Sequence, residues 1–147
     1  MATSVQLEIQ NGNGTKNALL ADQGAIIMRP YAAGANTWAY AAASGGIVNT
    51  TTAVTIANAA GAGIRNAITH ITLYAEALGA ATELAIRDGA AGTVIWRIKI
   101  PTGGLPLTSL SFPVPIRSSA NTLLEVVTLT ASVTGAVYFN ASGYTSA

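Results

Sequence analysis

The feature that most constrains this chain is a series of short alternating segments that begins near residue 50. In each segment apolar side chains recur at every second position, which is the periodicity of a β-strand with one buried face. Turn residues, mainly Gly, Asp, Asn and Ser, separate the segments at intervals of about 8 to 14 residues, and no helical pattern intervenes. The predicted strands cover residues 52–56, 67–74, 82–88, 93–100, 107–113, 122–129 and 135–140. This spacing predicts an all-β fold, an antiparallel β-sandwich or jelly roll.

The strongest hairpin signal is the loop 88–92, with the sequence Asp-Gly-Ala-Ala-Gly, between the strands 82–88 and 93–100. Trp96 alternates with apolar residues in the second strand, and we therefore predict that it lies in the core. The hairpin also has a polar face on which opposite charges are expected to meet. The charged residues of that face are Glu83, Arg87, Arg97 and Lys99.

Two other segments give more specific expectations. Pro113 and Pro115 restrict the strand 107–113 to a sheet edge or a strand end, because proline has no amide hydrogen to donate. Strict alternation in the strand 67–74 puts its side chains on two faces. Ile71 and Leu73 share one face, and Ile68, His70, Thr72 and Tyr74 share the other. A short helix over 75–81 remains an alternative to a loop.

The N-terminal third has a different texture. Residues 1–50 show no periodicity that lasts two helical turns, and the part after Pro30 is rich in Ala and Gly. Only Val5–Ile9 alternates, and the turn Asn-Gly-Asn-Gly that follows it predicts a short strand or hairpin. We therefore predict an extended N-terminal arm with short strand segments over 1–50 and a β-sandwich domain over 51–147.

The chain carries few charges. Lys and Arg number 7 and Asp and Glu number 6, so 9% of the residues are charged and the net charge is +1, whereas an average soluble domain is about 25% charged. A surface built from Ala, Thr, Ser, Asn and Gly is weakly hydrated, which suits a subunit of an assembly. The alternative is a stable extracellular or thermostable β-domain that has few charges. So small a net charge argues against nucleic acid or an anionic membrane as a partner.

The composition also limits the available chemistry. With 0 Cys and 1 His, the chain has no disulfide, no thiolate metal site and no ordinary Ser-His-Asp relay with a spare imidazole. We expect no cofactor and no metal, and a hydrolase that uses two of the carboxylates is the weakest reading. The N-terminus has no basic region followed by an apolar core, so we expect no secretory signal. The uncharged stretches 30–64 and 126–147 contain too many polar residues and glycines for membrane helices.

Several segments resemble small β-sandwich proteins encoded among the structural genes of tailed bacteriophages, the capsid decoration or cement proteins. The resemblance spans about residues 38–146, with its elements in the same order. The matching segments are SGGIVNTT at 44–51, AAGAGIRNAIT at 59–69, TELAIRDG at 82–89, VIWR at 94–97 and GAVYFNASGY at 135–144. It implies a jelly-roll body, commonly a homotrimer, on the outer face of the virion capsid. There it would bridge capsomers of the major capsid protein of the same phage, and it would bring no enzymatic residues.

Under this resemblance, six residues are candidate interface contacts. Among the arginines, Arg65 and Arg117 are the first choice because they lie beside loops, where a desolvated Arg can anchor an interface with an acidic shell. The alternative is that these arginines are solvated or paired locally. We expect His70 to be partly buried in a sheet or trimer interface, where a three-fold axis would bring three imidazoles together. The candidates are Arg29, Trp38, Tyr40, Arg65, His70 and Arg117.

A rival function belongs to another class. A phage head-fibre or tail-associated domain that binds host carbohydrate would need exposed aromatic rings. The residues that could supply them are Tyr31, Trp38, Tyr40, Tyr74 and Tyr144.

Overall fold

The computed structural model describes residues 36–147, which contain nine β-strands and no helix, and therefore no helix that could cross a membrane. The predicted all-β class is confirmed. The strands are β1 (Thr37–Tyr40), β2 (Ile47–Val48), β3 (Val54–Ala57), β4 (Arg65–Ala75), β5 (Thr82–Asp88), β6 (Thr93–Ile100), β7 (Leu105–Arg117), β8 (Leu124–Thr128) and β9 (Ala136–Ser146). The predicted strand Val5–Ile9 and the candidate residues Arg29 and Tyr31 lie outside the described residues.

The strands form two antiparallel sheets. In the five-stranded sheet the order is β1-β9-β4-β7, with β2 also paired to β9, and in the four-stranded sheet it is β3-β8-β5-β6. Without the two-residue strand β2, the eight remaining strands follow the order of a jelly roll, 1-8-3-6 in one sheet and 2-7-4-5 in the other. The predicted antiparallel sandwich is confirmed.

The core lies between the two sheets and consists mainly of the inward positions of their central strands. Such burial of alternate side chains supplies most of the stability of a sandwich. The largest fully buried side chains are Ile68, Ile71, Leu73, Leu84, Ile86, Ile100, Leu124, Val126, Val137 and Phe139. Trp96 packs against this cluster in a partly buried position, so its predicted core role is confirmed.

Strict alternation gives the wrong face for one residue of β4. Ile68 was predicted to face away from Ile71 and Leu73, but all three are 0% exposed in the core. The reason is a β-bulge in β4: Ile68 and His70 pair with the adjacent residues Gly143 and Ser142 of β9, which leaves Thr69 as the extra residue. Beyond the bulge, His70, Thr72 and Tyr74 lie opposite outward-facing residues of β9, as predicted.

The sandwich begins before the boundary predicted at residue 50. β1 and β2 both pair with β9, and the described residues 36–147 belong to one compact unit. β1 is held in place by packing, because the indole of Trp38 lies over Gly143, where an added Cβ would be 2.9 Å from Trp38 Cζ2. Residues 37–48 therefore contribute strands to the sandwich body.

The predicted hairpin is confirmed with its bounds, since β5 and β6 pair from Thr82↔Ile100 to Asp88↔Thr93. β7 is an edge strand as its prolines predict, although it continues through Pro113 and Pro115 to Arg117.

The segment 76–81 forms no helix. It is a loop tied down by backbone hydrogen bonds from Leu78 N to Thr102 O (2.7 Å) and from Ala80 N to Ser132 O (2.8 Å). The Leu78 side chain is 5% exposed, so the loop contributes to the core as well.

Candidate functional site

The carboxylates of the described residues serve the fold. Glu76 accepts a hydrogen bond from Ala136 N (3.0 Å), and Asp88 accepts bonds from the amide and the hydroxyl of Ser119. Glu83 and Glu125 form ion pairs with Arg97 (3.5 Å) and Arg87 (3.3 Å). Within residues 36–147, no three His, Asp or Glu side chains cluster in the way a metal site requires.

Two of the predicted interface residues make contacts inside the sandwich. Trp38 is partly buried against the core, and its indole N–H donates a hydrogen bond to Tyr144 O (3.3 Å). The Tyr40 ring packs at 6.5 Å from Phe139, and burial raises the pKa of its phenol. Neither ring stands free on an arm, because β1 is a strand of the sheet.

Two of the predicted cations lie together at one end of the sandwich. Arg65 begins β4, Arg117 ends β7 opposite Ala67, and Arg65 Nη1 donates to Ser118 O (3.1 Å). The loops 58–64 and 118–123 meet at the same end, which we call the arginine end. Both guanidinium groups belong to exposed residues there.

Exposed apolar side chains concentrate at the opposite end. Six large apolar residues are exposed in the described part of the chain. Five of them lie near strand ends or in loops, at the end of the sandwich where β4 ends and β7 and β9 begin. We call this surface the apolar end. Its members, with their exposed fractions, are Val48 (47%), Tyr74 (42%), Leu107 (74%), Leu129 (36%) and Val133 (58%). The sixth residue, Val114, lies on β7 away from this end and is 84% exposed.

Val133 has an unusual backbone. Its φ is +68°, in the left-handed region that β-branched residues rarely adopt. The loop around it is fixed by hydrogen bonds from Asn49 N to Ser132 Oγ (3.1 Å) and from Gly79 N to Thr134 O (3.2 Å). An exposed apolar side chain held on a strained backbone is a reason to suspect a functional contact.

The outer face of the five-stranded sheet is polar but almost uncharged. Its side chains form rows across the strands, because directly paired residues point to the same side. The three rows are Tyr138 and Tyr74; Asn140, Thr72 and Ser109; and Ser142, His70 and Ser111. None of these residues is Asp, Glu, Lys or Arg.

The hydroxyl groups of this face surround His70. Its Nδ1 is 3.1 Å from Ser111 Oγ, and its Nε2 is 3.2 Å from both Thr72 Oγ1 and Ser109 Oγ. His70 is half-buried, as the sequence predicts for an imidazole within a sheet. Hydroxyl groups both donate and accept, so they suit either tautomer of the imidazole.

Beside His70 the face has an open groove of about 300 Å³. Asn140 lies in the groove with its orientation fixed, since its Oδ1 accepts a hydrogen bond from Ala42 N (2.9 Å). The groove is lined by Ala39, Tyr40, Ala41, His70, Thr72, Asn140, Ala141 and Ser142.

The outer face of the four-stranded sheet differs in charge. It carries the ion pair of Arg87 with Glu125, whose side chains are 23% and 8% exposed, and that of Arg97 with Glu83, whose side chains are 61% and 41% exposed. Lys99 lies opposite Glu83 on the same face. The two sheets therefore present chemically distinct surfaces, one ionised and one neutral.

No family model matches this sequence, and no curated protein matches it. The function must therefore be inferred from the surfaces of the described residues together with the sequence pattern.

Sequence reasoning missed four of the five members of the apolar end, since only Tyr74 was considered as an exposed residue, and then as an aromatic ring for carbohydrate. Leu107 stands between Pro106 and Thr108 at an outward position of a predicted edge strand, which is a signal that could have identified it. Val48 and Val133 carry no such signal. The exposure of Val48 depends on the pairing of β2 with β9, and that of Val133 depends on a turn with an unusual positive φ.

Proposed function

We propose that this chain is a structural protein of a bacteriophage virion, a decoration protein that binds the outer surface of the head. It stabilises the contacts between capsomers of the major capsid protein and acts as a homotrimer. Its partners are the major capsid protein and copies of itself, with no part played by nucleic acid or a membrane and with no catalytic activity. The observation that carries this proposal is the apolar end, where five exposed apolar side chains lie at the same end of the sandwich.

Fold and composition support the proposal to different degrees. Jelly rolls occur in viral capsid proteins and also in lectins, so the strand order agrees with a capsid role without selecting it. The composition is more specific, since a chain in which only 9% of the residues are charged has a surface that is poorly protected against association in a free monomer. A subunit that stays bound to a shell does not need such protection against association.

The energetics favour docking by several copies at once. Burying a fully exposed Val or Leu is worth about 1.5–3 kcal/mol, so five partly exposed side chains supply about 5 kcal/mol for each copy. Association costs about 4–15 kcal/mol in lost translational and rotational freedom and in ordering. One apolar end therefore binds weakly by itself. A trimer that engages three sites raises the overall affinity by a large factor, because the second and third contacts are intramolecular.

Docking through the apolar end also fixes the orientation of the molecule. β4 is 11 residues long, which at about 3.3 Å per residue places Arg65 some 33 Å from Ala75. The arginine end would then face away from the shell. This differs from the sequence-based expectation that Arg65 and Arg117 dock to an acidic shell, and the two orientations can be separated by mutation.

The first experiment is a count of copies. Quantitative mass spectrometry of purified particles of the phage that encodes the chain should find hundreds of copies per head, in a fixed ratio to the major capsid protein. A few copies per particle would instead indicate a tail component, and absence from the particle would refute a virion role.

The second experiment tests the docking surface. Heads that lack the protein are mixed with purified chain and sedimented, and bound chain is measured. Leu107→Glu should reduce binding at least tenfold, because it places a charge in an interface that buries an apolar side chain. Val114→Glu is the matched control on the same strand and should bind normally. Normal binding of Leu107→Glu, together with loss of binding by Arg65→Gln, would overturn the proposed orientation.

A further inference from the structure

We propose that the groove beside His70 binds a neutral saccharide. The groove lies on the outer face of the five-stranded sheet and is distinct from the apolar end, since His70 and Tyr74 are four residues apart on β4, about 13 Å along the strand. This function is independent of the docking proposed above.

The shape of the groove fits part of a sugar chain. Its volume of about 300 Å³ is at the lower end of the range for small-molecule sites. Because it is open along one side, one sugar unit can lie in it while the neighbouring units of a chain remain in solvent. Three alanines, at positions 39, 41 and 141, contribute to its lining and leave room for a ligand, although the side chain of Ala141 itself packs in the core.

The polar groups of the groove are arranged before any ligand binds. His70 is held by hydroxyl groups on both ring nitrogens, and the amide of Asn140 is oriented by the bond from Ala42 N to its Oδ1. That bond leaves the Asn140 NH₂ group to donate. Thr72 and Ser142 line the same groove with hydroxyls that both donate and accept. Fixed groups of this kind lose little entropy when they bind, which favours a ligand rich in hydroxyls.

Charge selects the neutral class of ligand. Among the eight residues that line the groove there is no Asp, Glu, Lys or Arg. A sialic acid, a uronic acid or a phosphate would lose part of its hydration in the groove and gain no opposite charge. A neutral sugar meets no such penalty.

Tyrosines flank the groove along β9. Tyr138 is two residues from Asn140 and Tyr144 is two residues from Ser142, so both point to the outer face with the groove between them. Tyr138 packs against Tyr74 with ring centroids 6.1 Å apart. A phenol ring offers an apolar face beside a polar edge, which is the combination that the C–H face of a sugar requires.

The test measures binding of named sugars by nuclear magnetic resonance on the full-length chain labelled with ¹⁵N. The neutral probes are the methyl glycosides of glucose, galactose, mannose and N-acetylglucosamine, and the charged probes are sialic acid and glucuronic acid, each up to 20 mM. At least one neutral probe should bind with a Kd in the low millimolar range, with amide shifts confined to the groove residues of β4 and β9. The charged probes should bind at least tenfold more weakly.

Asn140→Asp tests the groove without removing a contact of the fold, because it keeps an Oδ1 atom that accepts from Ala42 N. It replaces the NH₂ donor by a negatively charged acceptor. It should weaken binding of the neutral probe at least tenfold, and Thr93→Ala on the opposite sheet should leave binding unchanged. The proposal is overturned if no neutral probe binds by 20 mM, if the charged probes bind as well, or if Asn140→Asp binds normally. It is also overturned if the groove amides shift with protein concentration alone, since a second copy would then occupy the groove.

Discussion

Replacing Val133 by glycine should make the isolated protein more stable and its binding to phage heads weaker. Left-handed backbone costs an L-residue about 1–2 kcal/mol, and glycine at the same φ of +68° avoids that cost. Glycine in turn loses more conformational freedom on folding, which costs about 0.5–1 kcal/mol. The net expectation for Val133→Gly is a gain of about 0.5–1 kcal/mol in the free energy of unfolding.

The same substitution removes an apolar contact from the proposed interface. Val133 is 58% exposed, so its burial on docking is worth about 1 kcal/mol per copy. That amounts to a roughly fivefold weaker Kd for each contact and a larger factor for a trimer. Stability and binding should therefore move in opposite directions.

Urea unfolding monitored by tryptophan fluorescence measures the first effect, and sedimentation with phage heads measures the second. Val114→Gly is the matched control, because Val114 is also an exposed valine but lies away from the apolar end and has no positive φ. It should lose about 0.5–1 kcal/mol of stability and bind normally. If Val133→Gly were less stable than the wild type, or bound heads equally well, the reasoning about a strained contact residue would be wrong.

Three further predictions concern the sandwich itself. Glu125→Ala should lower the free energy of unfolding by about 2–3 kcal/mol, because it leaves the half-buried Arg87 and the Ala91 amide without their partner. Glu83→Ala removes only an exposed ion pair and should lower it by less than about 0.5 kcal/mol. Urea unfolding of the two variants measures the difference. Gly143→Ala should abolish or severely reduce folded protein in circular dichroism, since the added methyl group would collide with a β4 carbonyl and the Trp38 ring. Burial raises the pKa of Tyr40 in the folded state. The contribution of the protonated phenol to stability is therefore complete below about pH 10, and it is lost as the pH rises through the pKa of the folded state. Tyr40→Phe should show a smaller loss of stability than the wild type between about pH 9 and 11.

The sequence predicted best those elements that are determined locally. The hairpin of β5 and β6 depends on two alternating segments and a Gly-containing turn, all within 19 residues of chain, and its bounds agree with the structure. The placement of β7 at an edge likewise follows from a local property, the missing amide hydrogen of proline.

Elements that depend on distant partners were harder to predict. β1 forms because Trp38 packs over Gly143, which is more than 100 residues away in the sequence. The Ala and Gly residues around Trp38 give no indication of that contact. The bulge that turns Ile68 into the core is visible only in the pairing of β4 with β9. The exposed Val133 depends on a turn conformation that is unusual for its residue type.

The prolines of β7 limit the pairing of this edge strand with strands of neighbouring molecules. An edge strand normally offers its free amide hydrogens to any other strand that approaches, and neighbouring molecules can then join into continuous sheets. Pro106, Pro113 and Pro115 have no amide hydrogen, and the register of β7 against β4 is broken between Ser111 and Ile116. Molecules that are close together at high concentration are thereby hindered from joining into continuous sheets along this edge.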